Sequence, residues 1–239
     1  MQESLQMMLQ NIQEQIKRNY FDFMSSQTVR NFLDQKGRVF IASENRSAEV
    51  IQWLIDLGHR HFAEKYSQEI NIKWPSLFAY NSVKDLHLNF FGALQCNKMK
   101  NILQFCHGIE SIDNIRQIKR LCRLDESTIQ NKEFYIQINL DQELQKRGVN
   151  PSQLTDLIEM FQHITSLSIR GLMAIPKKEG DTRKSFSLLR TLADKHHLKD
   201  CVMGMSADYE MAIAHGATNI RVARVIFKDL QPLPYQRSV

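Results

Sequence analysis

Apolar residues along this chain fall into two alternating rhythms. Short β-type runs at Val39–Ala42, Arg60–Ala63, Leu88–Phe91, Gly108–Ser111, Phe134–Asn139, Leu167–Gly171, Asp200–Met203 and Asn219–Val222 predict eight strands. Between them, spacings of three and four residues predict helices over Ser47–Leu57, Lys98–Phe105, Asn114–Cys122, Pro151–Phe161, Thr182–His196 and Ala207–His215. Ser47 is placed to cap the first of these, Pro151 sits where a missing N–H costs nothing, and Gly216 closes the last. Ahead of the first strand, Leu5, Met8, Leu9, Ile12 and Ile16 mark an amphipathic helix.

Repeated β-then-α units imply parallel strands joined by right-handed crossovers. Eight of them predict an α/β chain folded as a single (β/α)8 TIM barrel over residues 1–239, with an N-terminal helix within 1–24 and the barrel over 38–228. In such a barrel, function gathers at the C-terminal ends of the strands. Those ends carry Ser43-Glu44-Asn45-Arg46, Glu64-Lys65-Tyr66, Gly92-Ala93-Leu94-Gln95, Asn139, Met173-Ala174-Ile175-Pro176, Gly204-Met205-Ser206, Arg221 and Ala223-Arg224.

Composition narrows the classes. At 43% hydrophobic and 24% charged residues, the chain reads as an ordinary globular domain. The net charge of +5 is scattered, and its densest group, Lys177–Lys178 with Arg183–Lys184, is broken by Glu179 and Asp181. This reads as a solvated surface, not a nucleic-acid patch. Cys96, Cys106, Cys122 and Cys201 form no CxxC or Cys/His metal spacing, which suits free thiols in the cytoplasm. No signal peptide or membrane span is expected. His59, His61, His196 and His197 lack metal spacing and are expected at the surface, Asp208 and Glu210 read as helix-opening acids, and Met173, Met203 and Met205 read as pocket lining or core.

Several stretches together resemble one family. Arg170-Gly171-Leu172-Met173-Ala174-Ile175-Pro176, Met203-Gly204-Met205-Ser206-Ala207-Asp208 and Ala212-Ile213 with Gly216-Ala217-Thr218 match its C-terminal motifs. Gln137-Ile138-Asn139 with Glu143, Lys146 and Gly148, then Phe91 to Lys98, and Gly58 with Phe62, Glu64, Tyr66, Gln68 and Glu69 match earlier ones. The chain thus resembles the pyridoxal-phosphate (PLP) homeostasis proteins, relatives of the N-terminal barrel of alanine racemase. The resemblance implies a barrel, PLP held as an imine by a lysine ending strand one, a buffering or delivery role without turnover, and a monomer or weak dimer.

Where the family carries that lysine, this chain has Glu44, after Ala42 and Ser43. A carboxylate forms no imine, since an amine is required. It also faces an anionic cofactor, at about 2 kcal/mol per like charge at roughly 7 Å and an effective dielectric of about 20. Lys65 stands where the family has asparagine, and a Glu44–Lys65 ion pair filling an unused pocket is expected, with Lys65 as a relocated imine amine the alternative. The resemblance places the phosphate near Gly204, Met205 and Ser206, whose backbone offers N–H donors. Ala223 replaces a family glycine and obstructs close approach. Arg224 replaces a small residue, either to clamp phosphate or to fill its pocket and pair with a carboxylate. Arg221, retained, is implied to face the pyridine nitrogen and leave it unprotonated, or else to form an internal salt bridge; Asn139 is a ligand contact or a satisfied strand-end polar group. Met173 completes the candidate cofactor set. The expected function is a divergent, non-catalytic PLP-binding homologue that takes PLP or another small phosphate non-covalently at best. The alternatives are a barrel that has lost PLP and works through protein contacts, or an enzyme using Lys65.

Overall fold

The computed structural model describes residues 2–80, 85–141, 145–164, 167–177 and 180–228; Glu143, Lys178, Glu179 and the tail from Asp229 lie outside them. Eight parallel strands close into a barrel in chain order: β1 (Arg38–Ala42), β2 (His61–Glu64), β3 (His87–Phe90), β4 (Gly108–Ile112), β5 (Glu133–Gln137), β6 (Ile169–Met173), β7 (Asp200–Val202) and β8 (Asn219–Val222). The strands sit where the apolar runs place them because a parallel barrel strand is covered on both faces and so reads as continuous hydrophobic sequence. In β1, for example, Val39, Phe40, Ile41 and Ala42 are all buried. Strand β6 begins two residues later than expected, and β5 stops at Gln137, its chain continuing through an Ile138–Val149 bridge.

The helices are α1 (Gln2–Ser25), α2 (Gln27–Asp34), α3 (Ala48–Asp56), α4 (Ser67–Tyr80), α5 (Met99–Phe105), α6 (Ile115–Leu121), α7 (Glu126–Ile129), α8 (Leu154–Ile164), α9 (Thr182–Lys195) and α10 (Tyr209–Ala214). Ser47 caps α3 as expected, its Oγ accepting from the Val50 N–H at 3.3 Å. A short 3-10 turn at Pro151–Gln153 opens α8. Helices α2, α4 and α7 were not expected; α4 contains Pro75, whose missing donor and fixed φ mask a helical pattern. Helix α1 buries Ile16, Tyr20 and Phe23, while Met8, expected on the same stripe, is 51% exposed. No described helix is long and apolar enough to cross a membrane.

The end of the barrel opposite the site is closed by charge. Arg38 donates to Glu133 at 2.9 and 3.0 Å, to the Tyr135 hydroxyl at 2.8 Å and to Asp200 at 2.9 Å; Arg170 reaches the same Asp200 at 2.6 Å. The rings of His61, His87 and His107 run beside this network. His59 is buried, not exposed as expected, edge-on to Tyr20 of α1 and to Phe62, with Nε2 2.7 Å from the His61 carbonyl. His61 is half-buried. The surface expectation fails here because a turn leading into a barrel strand, covered by α1, leaves no water-facing side.

Candidate functional site

The C-terminal ends of the strands surround a cavity of about 660 Å³. Eight of the ten expected site residues line it: Glu44, Lys65, Asn139, Met205, Ser206, Arg221, Ala223 and Arg224. Gly204 and Met173 do not. Gly204 has a φ of +92°, and a β-carbon there would come within 2.5 Å of the Ala212 methyl, so this glycine shapes the turn behind the cavity. Met173 is fully buried against Tyr135 and Val202 below the floor.

Glu44 is held by an unforeseen buried cluster. The Lys73 ammonium, on α4, contacts Glu64 at 2.7 Å and Glu69 at 2.6 Å and donates to the Ser43 carbonyl at 2.8 Å. Ser43 Oγ donates to Glu64 at 2.8 Å, and the Asn45 N–H donates to Glu69 at 3.0 Å. Both chain neighbours of Glu44 are thus pinned from below. Sequence reasoning gave Lys73 no role, since a lysine on a helix ordinarily snorkels to solvent; the Glu69-to-Lys73 spacing of one helical turn was the available signal.

The carboxylate of Glu44 makes no hydrogen bond or ion pair with any described residue, and its Oε2 is shut off from solvent without a partner. Burial pushes this carboxyl's pKa up; Lys65 and Arg221 oppose the shift, while Glu64 and Glu69 reinforce it. The Ala42–Ala63 register sets Lys65 opposite Glu44, as the sequence suggested. The expected ion pair is nevertheless absent. Lys65 is exposed, with Nζ 5.5 Å from the Tyr66 ring centroid, and the cavity stays open where that pair was to fill it. A long, hydrated lysine at the mouth gains little from ordering itself toward a half-buried carboxylate.

Arg221 serves two environments. One amino group donates to Glu110 at 2.8 Å, and Glu110 also accepts from the Asn89 amide at 2.8 Å. Its guanidinium carbon lies 3.9 Å from the Phe91 ring centroid, and Nε is buried without a partner. The internal salt bridge and the cavity position are therefore both present. Glu110 was legible only as one charge in the apolar run Gly108–Ser111.

At the other end, Ser206 Oγ accepts from the Ala223 N–H at 3.0 Å and the Val225 N–H at 3.4 Å, tying the turns after β7 and β8 together. The Met205 N–H, expected to be available to a ligand, donates to Asp208 at 2.6 Å instead. Arg224 is exposed at the cavity edge and forms no ion pair or hydrogen bond with a described residue, so the pocket-filling pair with a carboxylate is not made. Asn139 donates from Nδ2 to the Lys146 carbonyl at 3.3 Å.

Comparison with known proteins shows the family. The family described as "Alanine racemase, N-terminal domain" matches residues 41–228. The pyridoxal phosphate homeostasis protein of Escherichia coli is 32% identical over 193 residues, covering 77% of this chain and 82% of the relative. That of Vibrio cholerae is 28% identical over 229 residues, covering 92% and 97%. The structure of PipY from Synechococcus elongatus with PLP bound superposes with a TM-score of 0.75 at 26% identity, covering 90% of this chain and 99% of that one. The chain belongs to the alanine racemase N-terminal domain family and, within it, to the pyridoxal phosphate homeostasis proteins.

Proposed function

We propose that this chain is a non-catalytic PLP-homeostasis protein that holds its B6 phosphate without a covalent bond at the end of β1. One observation carries the reading: the residue there, Glu44, is a carboxylate facing an open cavity whose edge is cationic. The residues present fit a pyridine phosphate in size and charge. A cavity of about 660 Å³ falls within the usual range for small-ligand sites. Arg221 offers a buried Nε donor that lacks an acceptor, as a pyridine nitrogen would supply. Arg224 stands uncommitted beside the turn that Ser206 braces, which suits a phosphate. PLP brings an aldehyde and an electron-withdrawing ring; this chain's residues bind and orient it.

Removing a charged hydrogen-bond donor from a phosphate costs about 1.5–3 kcal/mol. Arg224→Ala is therefore expected to weaken PLP binding roughly 10- to 100-fold in a fluorescence titration. Ser206→Ala, which leaves the Ala223 and Val225 N–H groups without their acceptor, is expected to weaken it about 10-fold. Unchanged affinity in both variants would place the phosphate elsewhere and defeat this reading.

A second reading has one observation in its favour. Lys65 lies opposite Glu44 and lines the same cavity at its mouth. Its exposure argues against it, because an imine lysine is useful when its approach to the aldehyde is fixed.

A further inference from the structure

Glu44 poses a problem that PLP does not solve. Its carboxylate has no hydrogen-bond or ion-pair partner among the described residues, and Oε2 is buried. Such a group is costly unless something satisfies it. It cannot readily turn away, because Lys73, Glu64 and Glu69 fix Ser43 and Asn45 on either side. An aldehyde oxygen carries lone pairs only, so PLP would set one acceptor against another. The remaining charges on the lining are cationic: Lys146, Arg147 and Arg221 pair with Asp141, Asp113 and Glu110, while Lys65 and Arg224 form no ion pair with a described residue. The lining thus offers Lys65 and Arg224 to an anion and Glu44 to a cation.

We propose that the cavity prefers the amine form of the cofactor phosphate, a zwitterion of the pyridoxamine 5′-phosphate type, whose ammonium donates to the Glu44 carboxylate. This rests on the reading above that the cavity takes a B6 phosphate, and it names which chemical form is taken. The strand register supports a shared span. Pairing of Ile41 with Val222 sets the end of β1 directly beside the turn carrying Ala223 and Arg224. An ammonium at Glu44 and a phosphate at Arg224 thereby fall on adjacent strand ends of one mouth. The exchange of lysine for glutamate then changes what is recognised, from a group that reacts with an amine to a group that is one.

Isothermal titration of the full chain near neutral pH with pyridoxamine 5′-phosphate, PLP and inorganic phosphate separates the possibilities. Pyridoxamine 5′-phosphate is expected to bind about 10-fold or more tightly than PLP, as a charge-assisted hydrogen bond implies. Glu44→Gln, which keeps shape and removes charge, is expected to bring that ratio within about threefold, and Glu44→Ala is expected to do the same. PLP binding as tightly as the amine, or a ratio unmoved by both substitutions, would overturn the preference while leaving the B6 site standing. Inorganic phosphate matching the amine form would also overturn it, showing that the phosphate alone is recognised. Failure of both vitamers to bind would overturn the B6 reading itself.

Discussion

Replacing Lys73 by methionine is expected to destabilise the protein by about 3–5 kcal/mol, the usual cost of stripping one partner from a buried ion pair. Lys73 is 2% exposed, and the carboxylates it neutralises, on Glu64 and Glu69, are 0% and 6% exposed. Without the ammonium, two negative groups remain close together out of water, and the Ser43 carbonyl loses its donor. For a chain of this length the loss corresponds to a fall in Tm of roughly 6–20 °C. The burden lies in the uncompensated charge. Adding Glu64→Gln and Glu69→Gln to Lys73→Met is therefore expected to recover most of the stability, because isosteric neutral groups need no counter-ion. Urea unfolding of the single and triple variants checks this. A single variant within about 1 kcal/mol of the parent would show that the cluster is not held as described. Ligand affinity should fall with it, since this cluster fixes the chain on both sides of Glu44.

Acid is expected to unfold the protein through its buried His59 and its half-buried histidines. Burial depresses His59 to about 3 and His87 to about 3. For His87 the neighbouring His107, His61 and Arg38 add to the shift, and the hydrogen bond with Asn89, 3.1 Å away, opposes it. Burial depresses His61 and His107 as well. Below the unfolded-state value of about 6.5, the unfolded chain takes up protons that the folded chain refuses, so stability rises with pH across this window and is lost as pH falls. Two groups together give a slope of up to about 2.7 kcal/mol per pH unit between roughly pH 6 and pH 4. Over two units that approaches the whole stability of a typical domain. Urea midpoints should therefore fall steeply between about pH 6 and pH 4, and His87→Gln should flatten the slope by roughly half. A midpoint constant across that range would show that these rings are not held neutral in the folded protein.

The eight strands were readable because a strand covered on both faces writes itself as an unbroken apolar run, and their order followed from the alternation with helices. Helix α4 was masked by Pro75, although Ile70, Trp74 and Leu77 lie at helical spacing on its buried face, beside Glu69 and Lys73. That single omission hid the cluster beneath Glu44. The site itself was largely legible, since the position of each strand end locates its loop at one mouth: Glu44, Lys65, Ser206, Arg221 and Arg224 do meet there. What spacing does not encode is side-chain direction. The register of β1 and β2 sets Lys65 opposite Glu44, yet the lysine stays in solvent; Arg224 likewise remains unpaired with any described residue instead of filling the pocket. Met173, in a family motif, packs inward from β6 against Tyr135; the expected strand ended at Gly171 and so put Met173 in the loop beyond it.

The central claim is that PLP, where it binds, forms no covalent bond with this chain because Glu44 stands at the imine position. Saturating the purified protein with PLP, reducing with borohydride and mapping peptides by mass spectrometry tests it directly, with the Glu44→Lys variant as the control that restores an amine at that position. The account predicts no pyridoxyl adduct on cavity residues of the parent protein and a stoichiometric adduct at position 44 of the variant. A stoichiometric adduct on Lys65 of the parent would contradict it.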